Sequence, residues 1–551
     1  MAETWEPEPE LLESLDHAVP DILASQKENG QFGTEPWIST DQNVMFPLAV
    51  AWHLKDSKYH HDAQLLDAIV RGGYACIEGQ DENGMFLFRK KDYSEWGPIY
   101  QPWIYSRWIR AYWLVKDAMP KDARVRWEKA LLLGYRGISE KAMQIIHNIP
   151  THHAMGLYCA GLVFDRQKWR EQSKAFMAKV VARQSPNGWW PEHKGPVVGY
   201  NFVYSEALGI YYGMSGDKSV LNALERASRY HANLTYPDGS AVETLDGRNP
   251  YQKGVRLRGS GFSHTPTGRG YLMQQHARYL ETEKYFPADY AAHLLLHGGE
   301  GPVEPTSAEP DHHVHRMGQE ALIVRNRPWF FCISAFCAEI PQVRWGQDRQ
   351  NFVSVFHDNV GLIIGGGNTK LQPLWSNFTV GDTSLLTHTP GDTDPDFSPR
   401  KGLLHVPDNA TYTDDESAPG LVLNYGEETC NITLMPKNDT RLTIKYEATA
   451  NSGNAVEAHV TLLPDLGEAL DFASGESVEL GEELLERSGE TWIEHAGWRL
   501  SLPEDSRVVW PALPHNPYRK GGESTPKEGR IAVVLPFSNT ASEYEMTLEI
   551  L

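Results

Sequence analysis

Apolar positions along the first 300 residues recur at helical spacing, as in Leu65, Leu66, Ile69 and Val70 or Ala207, Leu208, Ile210 and Tyr211, so each segment carries one apolar face. A turn signature punctuates these segments at Asn29-Gly30, Asn83-Gly84, Asn187-Gly188 and Asp238-Gly239, with Leu133-Gly134 in the place of a fifth. The glycines stand 54, 50, 54 and 51 residues apart, which is room for one helical hairpin and its connections. An amphipathic hairpin cannot bury its apolar face alone. The hairpins are therefore expected to stack around a shared centre as an (α/α) toroid whose loops line a mouth.

The pattern then changes. Gly298 to Pro310, with three prolines and three glycines, has no packing face of its own and reads as a linker. From His315 onward short runs rich in valine, isoleucine and aromatics recur at Ala321–Arg325, Trp329–Phe336, Phe352–Phe356, Leu362–Ile364 and Leu421–Asn424. They continue through Ile432–Met435, Arg441–Tyr446, Val456–Leu463, Trp492–Leu502, Arg530–Pro536 and Tyr544–Leu551. So many short strands between turn residues predict an antiparallel β-sandwich. The expected organisation is a toroid over 1–297, a linker over 298–313 and a sandwich over 314–551.

Charge narrows the partners. The 72 acidic against 51 basic residues, a net charge of -21, leave no basic excess to neutralise phosphates, which excludes a general nucleic-acid binder. No apolar run approaches a membrane span. Residues 1–24 are acidic and broken by prolines, so no signal peptide is visible and a cytoplasmic location is expected; export would require a leader. The five scattered cysteines suit reduced thiols better than a disulfide framework. Asp311-His312-His313-Val314-His315 lies at the linker and is read as solvated, so no metal and no cofactor are expected. Gly365-Gly366-Gly367 follows a strand-like run with no helix after it, and reads as a tight hairpin.

Three segments carry candidate chemistry. His147 to His153 precedes a small-residue helix, with Asn148 as its expected cap and Pro150 in its first turn, so His152 and His153 fall near a helix N-terminus that favours a bound carboxylate. The second, Trp189 to Lys194, brings His193 and leads into Tyr200 and Tyr204, which are four residues apart and share one helical face. The third is an acid-free stretch from Gly247 to Leu280 that holds Arg248, Lys253, Arg256, Arg258, Arg269 and Arg278 with His264 and His276. Arginine forks grip carboxylates and sulfates, which points to acidic sugars. Among the aromatics around α-helical residues 96–113, Trp103 and Tyr105 are the candidates to stack on a sugar.

With Asn148, His152 and His153 before a helix, the Tyr200–Tyr204 segment, and Trp345 to Asn351 leading to Gly365-Gly366-Gly367, the chain resembles the toroid-plus-sandwich polysaccharide lyases, the heparinase II/III-like and alginate-lyase-like group. The resemblance implies cleavage of a uronate-containing polysaccharide or oligosaccharide by β-elimination. Asn148 and a histidine, His152 or His153, would neutralise the carboxylate, and a tyrosine, Tyr204 before Tyr200, would carry the proton. His193, Arg256, Arg258, His264 and Arg269 would bind the flanking acidic sugars. A glucuronidase-like glycoside hydrolase using two carboxylates on the same toroid is the alternative, and a non-catalytic carbohydrate-binding protein is the second.

Overall fold

The computed structural model describes residues 3–307, 309–386, 388–389 and 391–551. It divides into two compact units: Met1–Glu192 with Tyr200–Ala232 and Val255–Thr306, and His193–Gly199 with Asn233–Gly254 and Ser307–Leu551.

The first unit is built from helices α1 (Glu8–Ala24), α2 (Met45–His53), α3 (Ala63–Gly79), α4 (Pro102–Val115), α5 (Lys121–Lys141), α6 (Asn148–Val163), α7 (Gln167–Arg183), α8 (Val198–Ser215), α9 (Leu221–Asn233), α10 (Pro266–Leu280) and α11 (Ala288–His297). Helix α1 packs on α11, α11 on α2, α2 on α4 and α4 on α6. Helices α2 and α6 are buried on nearly every face, as a helix apolar all round must be. Their partners are one-sided. In α5 the buried positions Ala123, Trp127, Ala130, Leu131, Gly134 and Ile138 follow a single stripe.

The repeat has a physical basis. Gly30, Gly84, Gly188 and Gly239 all have positive φ, between 81° and 92°, which glycine adopts without a Cβ penalty. In three of the turns a glutamine four residues earlier ties the turn to the next outer helix. Gln26 Nε2 donates to the carbonyls of Gly30 (3.3 Å) and Ala68 (2.8 Å). Gln184 Nε2 donates to those of Gly188 (3.0 Å) and Ala223 (2.9 Å). Gln80 Nε2 donates to Ala130 O (3.2 Å) and to Tyr105 Oη (2.5 Å), whose hydroxyl in turn donates to Gly84 O. The fifth member departs from expectation: Leu133-Gly134 lies inside α5, where the absent side chain makes room for the Tyr105 ring and the Gly84 turn. A two-stranded hairpin, Phe86–Arg89 with Glu95–Ile99, also interrupts the helices.

Within the expected linker, Gly301–Pro302 pairs with Thr4–Trp5 and Thr306 Oγ1 donates to Gln274 at 2.8 Å, so residues up to Thr306 belong to the helical unit. Ala308 lies outside the described residues.

The second unit is two antiparallel sheets. One runs in the order Leu485–Ser488, Arg507–Ala512, Arg530–Phe537, Val456–Leu462, Gly361–Ile364, Val353–His357, Trp329–Ser334, Ala321–Asn326 and His312–Met317, with Phe378–Gly381 and Leu403–Leu404 branching from Val456–Leu462. The other runs from Asn409–Thr413 through Gly420–Tyr425, Glu428–Asn438, Arg441–Ala448, Glu543–Ile550, Trp498–Ser501, Trp492–His495 and Ala469–Phe472 to Ser477–Glu479. Alternation sets the core: Leu442, Ile444 and Tyr446 lie opposite Leu548, Met546 and Tyr544 and are buried with them. The run at Trp492–Leu502 is a hairpin rather than one strand, because Ala496 and Gly497 turn the chain at positive φ. Gly365, Gly366 and Gly367 are not a hairpin either. They form a backbone run at positive φ whose Gly366 N–H donates to Glu243 Oε1 (2.9 Å) and whose carbonyl accepts from Arg530 (3.0 Å). The described residues contain no helix long and apolar enough to cross a membrane and no cluster of metal-ligating side chains.

Candidate active site

Helix α6 starts at Asn148 with His147 as its N-cap, so Asn148 is not the cap. Its amide Nδ2 donates instead to Glu192 Oε1 at 2.8 Å. Pro150 occupies the first turn, where a missing N–H costs nothing. One turn on, His152 and His153 diverge. His153 is buried and bound to the backbone of Tyr100; burial, with His152 and His147 beside it, pushes its imidazole down to about 3. His152 lies edge-on to Trp103, with ring centroids 4.5 Å apart, and its Nε2 is 3.2 Å from Glu206 Oε1, too oblique for a full hydrogen bond. Burial holds this imidazole below its usual value against the pull of Glu206.

Both tyrosines lie on α8 but in different surroundings. Tyr204 is buried, stacked on Trp190 with centroids 5.2 Å apart and ring planes at 5°, and its hydroxyl donates to Glu192 Oε2 at 3.2 Å. A phenol that donates to a buried carboxylate is a poor proton acceptor. Tyr200, in the first turn of α8, is only half-buried. Glu192 thus clamps Asn148 and Tyr204 together and leaves Tyr200 as the accessible phenol.

Beneath these groups lies an ionic cluster. Arg107 on α4 forks onto Asp289 of α11, at 2.7 and 2.5 Å, and lies 3.9 Å from Glu206. His293 Nδ1 is 3.6 Å from the same Glu206 oxygen. Arg110 Nη2 is 3.2 Å from His293 Nε2 while its guanidinium covers the Phe46 ring at 4.0 Å. Burial alone would raise the Glu206 carboxyl, but His293, His152 and Arg107 hold it well below the usual carboxylate range. The Glu206 and Asp289 side chains are 21% and 39% exposed, so the cluster opens to solvent. These contacts bring the opening turns of α4, α6, α8 and α11 together, and their N–H ends make the mouth favourable for an anion.

Other expected site residues fall elsewhere. Tyr105 is a core residue, spent on Gly84 and Gln80. His264 Nε2 meets Gly209 O at 3.0 Å, and Arg269 donates to Pro302 O (2.8 Å) and Ser263 O (3.0 Å), so both fasten backbone within the helical unit rather than face a sugar. Arg256 and Arg258 are exposed. His193 is exposed at φ 58° and belongs to the sandwich unit. His313 Nε2 contacts Asn233 Oδ1 at 2.8 Å. Arg107, Arg110, Asp289 and His293 escaped sequence inspection; the available signal was charge placed inside otherwise apolar helices.

The architecture is that of the toroid-plus-sandwich polysaccharide lyases. Among solved structures, Paenibacillus xanthan lyase matches with a TM-score of 0.58 at 12% identity, over 99% of this chain and 57% of its own. The Streptomyces coelicolor A3 chondroitin AC lyase, solved with chondroitin sulphate, matches with a TM-score of 0.57 at 12% identity, over 99% of this chain and 80% of its own. Heparinase III matches at 0.55 and 11% identity, over 98% and 84%. The chain therefore spans little more than half of the xanthan lyase. No family model and no curated protein matches it. At these identities the likeness is one of fold.

Proposed function

We propose that the protein is a lyase that cleaves a uronate-containing polysaccharide or oligosaccharide by β-elimination at the mouth of the helical unit. The observation that carries this is the meeting of Asn148, His152, Trp103 and the accessible Tyr200 at four helix N-termini. Eliminating across C4 and C5 removes a weakly acidic proton beside a carboxylate, so that carboxylate must first be neutralised. The Asn148 amide and the helix N-termini do this. Tyr200 takes the C5 proton, the C4–C5 double bond forms as the C4–O bond breaks, and the same phenol returns the proton to the departing oxygen. Trp103 offers a ring face to the pyranose, and Tyr204, held by Glu192, positions Asn148.

A hydrolase on this scaffold needs one carboxyl that stays protonated. Glu206 is held ionised and Asp289 is clamped by Arg107, which favours elimination. The test is a panel of uronate polysaccharides followed by ultraviolet absorbance and reducing ends together. Both are expected to rise, and Tyr200→Phe is expected to lower kcat by about 10²-fold or more with KM little changed. Reducing ends without absorbance would make the protein a hydrolase, and binding with neither signal would make it a carbohydrate-binding protein.

A further inference from the structure

The sandwich unit holds a cavity of about 430 Å³, within the size range of small-ligand sites. Arg248 and Arg530 are buried in its wall, while Arg519 and Lys527 stand exposed at its rim. Glu528 is the one carboxylate among the described lining residues, and it is engaged by Arg519 (2.9 Å) and Asn516 (2.6 Å). Four cations against one occupied anion is a sharp local inversion in a chain of net charge -21.

Two lining side chains are buried without protein partners. Gln347 and His515 are each 3% exposed, and both amide atoms of Gln347 and both ring nitrogens of His515 lack a hydrogen bond. Burying such groups is costly unless a ligand completes them. Burial first, then His388, Arg344 and Lys370, push the His515 imidazole down to about 3, so it is a neutral donor and acceptor. Arg248 is held in place: its backbone N–H donates to Asp246 Oδ1 at 2.8 Å, and its guanidinium lies 5.9 and 5.7 Å from the rings of Trp345 and Tyr518.

We propose that this cavity binds the anionic group of an acidic pyranose, with Arg248 gripping the carboxylate or sulfate, Gln347 and His515 meeting its hydroxyls, and Tyr518 covering a sugar face. The assignment rests on the acidic-saccharide reading above. It is tested by calorimetry on the full chain carrying Tyr200→Phe to prevent turnover, with a glucuronate tetrasaccharide, a sulfated tetrasaccharide, the neutral glucose counterpart and inorganic sulfate as probes. Arg248→Lys, which keeps the charge and loses the fork, is expected to weaken the acidic probe that fits by about tenfold. Gln347→Leu is expected to weaken it about fivefold, and the neutral probe to bind far more weakly. Whichever acidic probe loses more affinity in the variants names carboxylate or sulfate as the group held. Should Arg248→Lys fail to fold, Gln347→Leu decides alone. Equal affinity for the neutral probe, displacement of no saccharide by inorganic sulfate, or binding by both variants within twofold of the parent overturns the site. Calorimetry does not need chemistry. Binding through Arg248 with no unsaturated product sinks the lyase and spares this site, whereas product formation with both variants unaffected sinks this site alone.

Discussion

Glu206 is a carboxylate ringed by His152, His293 and Arg107, and its charge balances the buried guanidinium of Arg110 as well. Glu206→Gln keeps the volume and removes the balance. Stripping one partner from a buried ion cluster destabilises strongly, and with Glu206 partly exposed the expected loss is about 3 kcal/mol, read from denaturant unfolding. An unchanged midpoint would show the cluster to be electrostatically slack. This residue scale was the least legible in sequence. Tyr204 and Tyr200 look alike from spacing, and only packing against Trp190 and the bond to Glu192 separate them. Asn148 read as a cap because cap and ligand-facing amide use the same residue type at the same place. Tyr105 read as a sugar platform because an aromatic in the core and one at a rim carry the same letter.

The hairpin is the next scale, and here the chain announced itself. The asparagine-glycine and aspartate-glycine turns, the 3.6-residue stripes and the switch to valine-rich runs after His315 are all set by neighbours within a few residues, so they survive in sequence. What escaped needed distant partners. The Phe86–Ile99 hairpin is short and lies among helices, Gly134 is spaced like a turn but serves as a socket for Tyr105, and Gly366 is held by Glu243 and Arg530, far away along the chain. The turns make their own prediction. At Gly188, φ is +92° and a Cβ would collide with the Arg226 carbonyl. Gly188→Ala should therefore cost about 2–4 kcal/mol, seen as a lowered melting temperature. The exposed Gly216, with φ +65° and open space around it, should cost only the backbone strain of about 1 kcal/mol on the same substitution.

Buried neutral imidazoles govern how the whole molecule responds to acid. Burial pushes His231 and His276 down to about 3, and burial with its histidine neighbours does the same to His153. In the unfolded chain a histidine titrates near about 6.5. Between these values the unfolded state takes up protons that the folded state refuses, so stability is flat above neutrality and falls as pH drops below about 6.5. The melting temperature should follow that course, and a rise toward pH 5 would contradict it. At this scale the order of a helical half and a sandwich half was readable, yet the membership of residues 193–199 and 233–254 was not, because helical flanks surround both segments and only long-range contacts reassign them. The chain passes from one unit to the other after residues 192, 199, 232, 254 and 306. No single cut can release either unit intact, so the two halves are inherited together: a recombination event at any one of these points would sever a loop from the body that folds it.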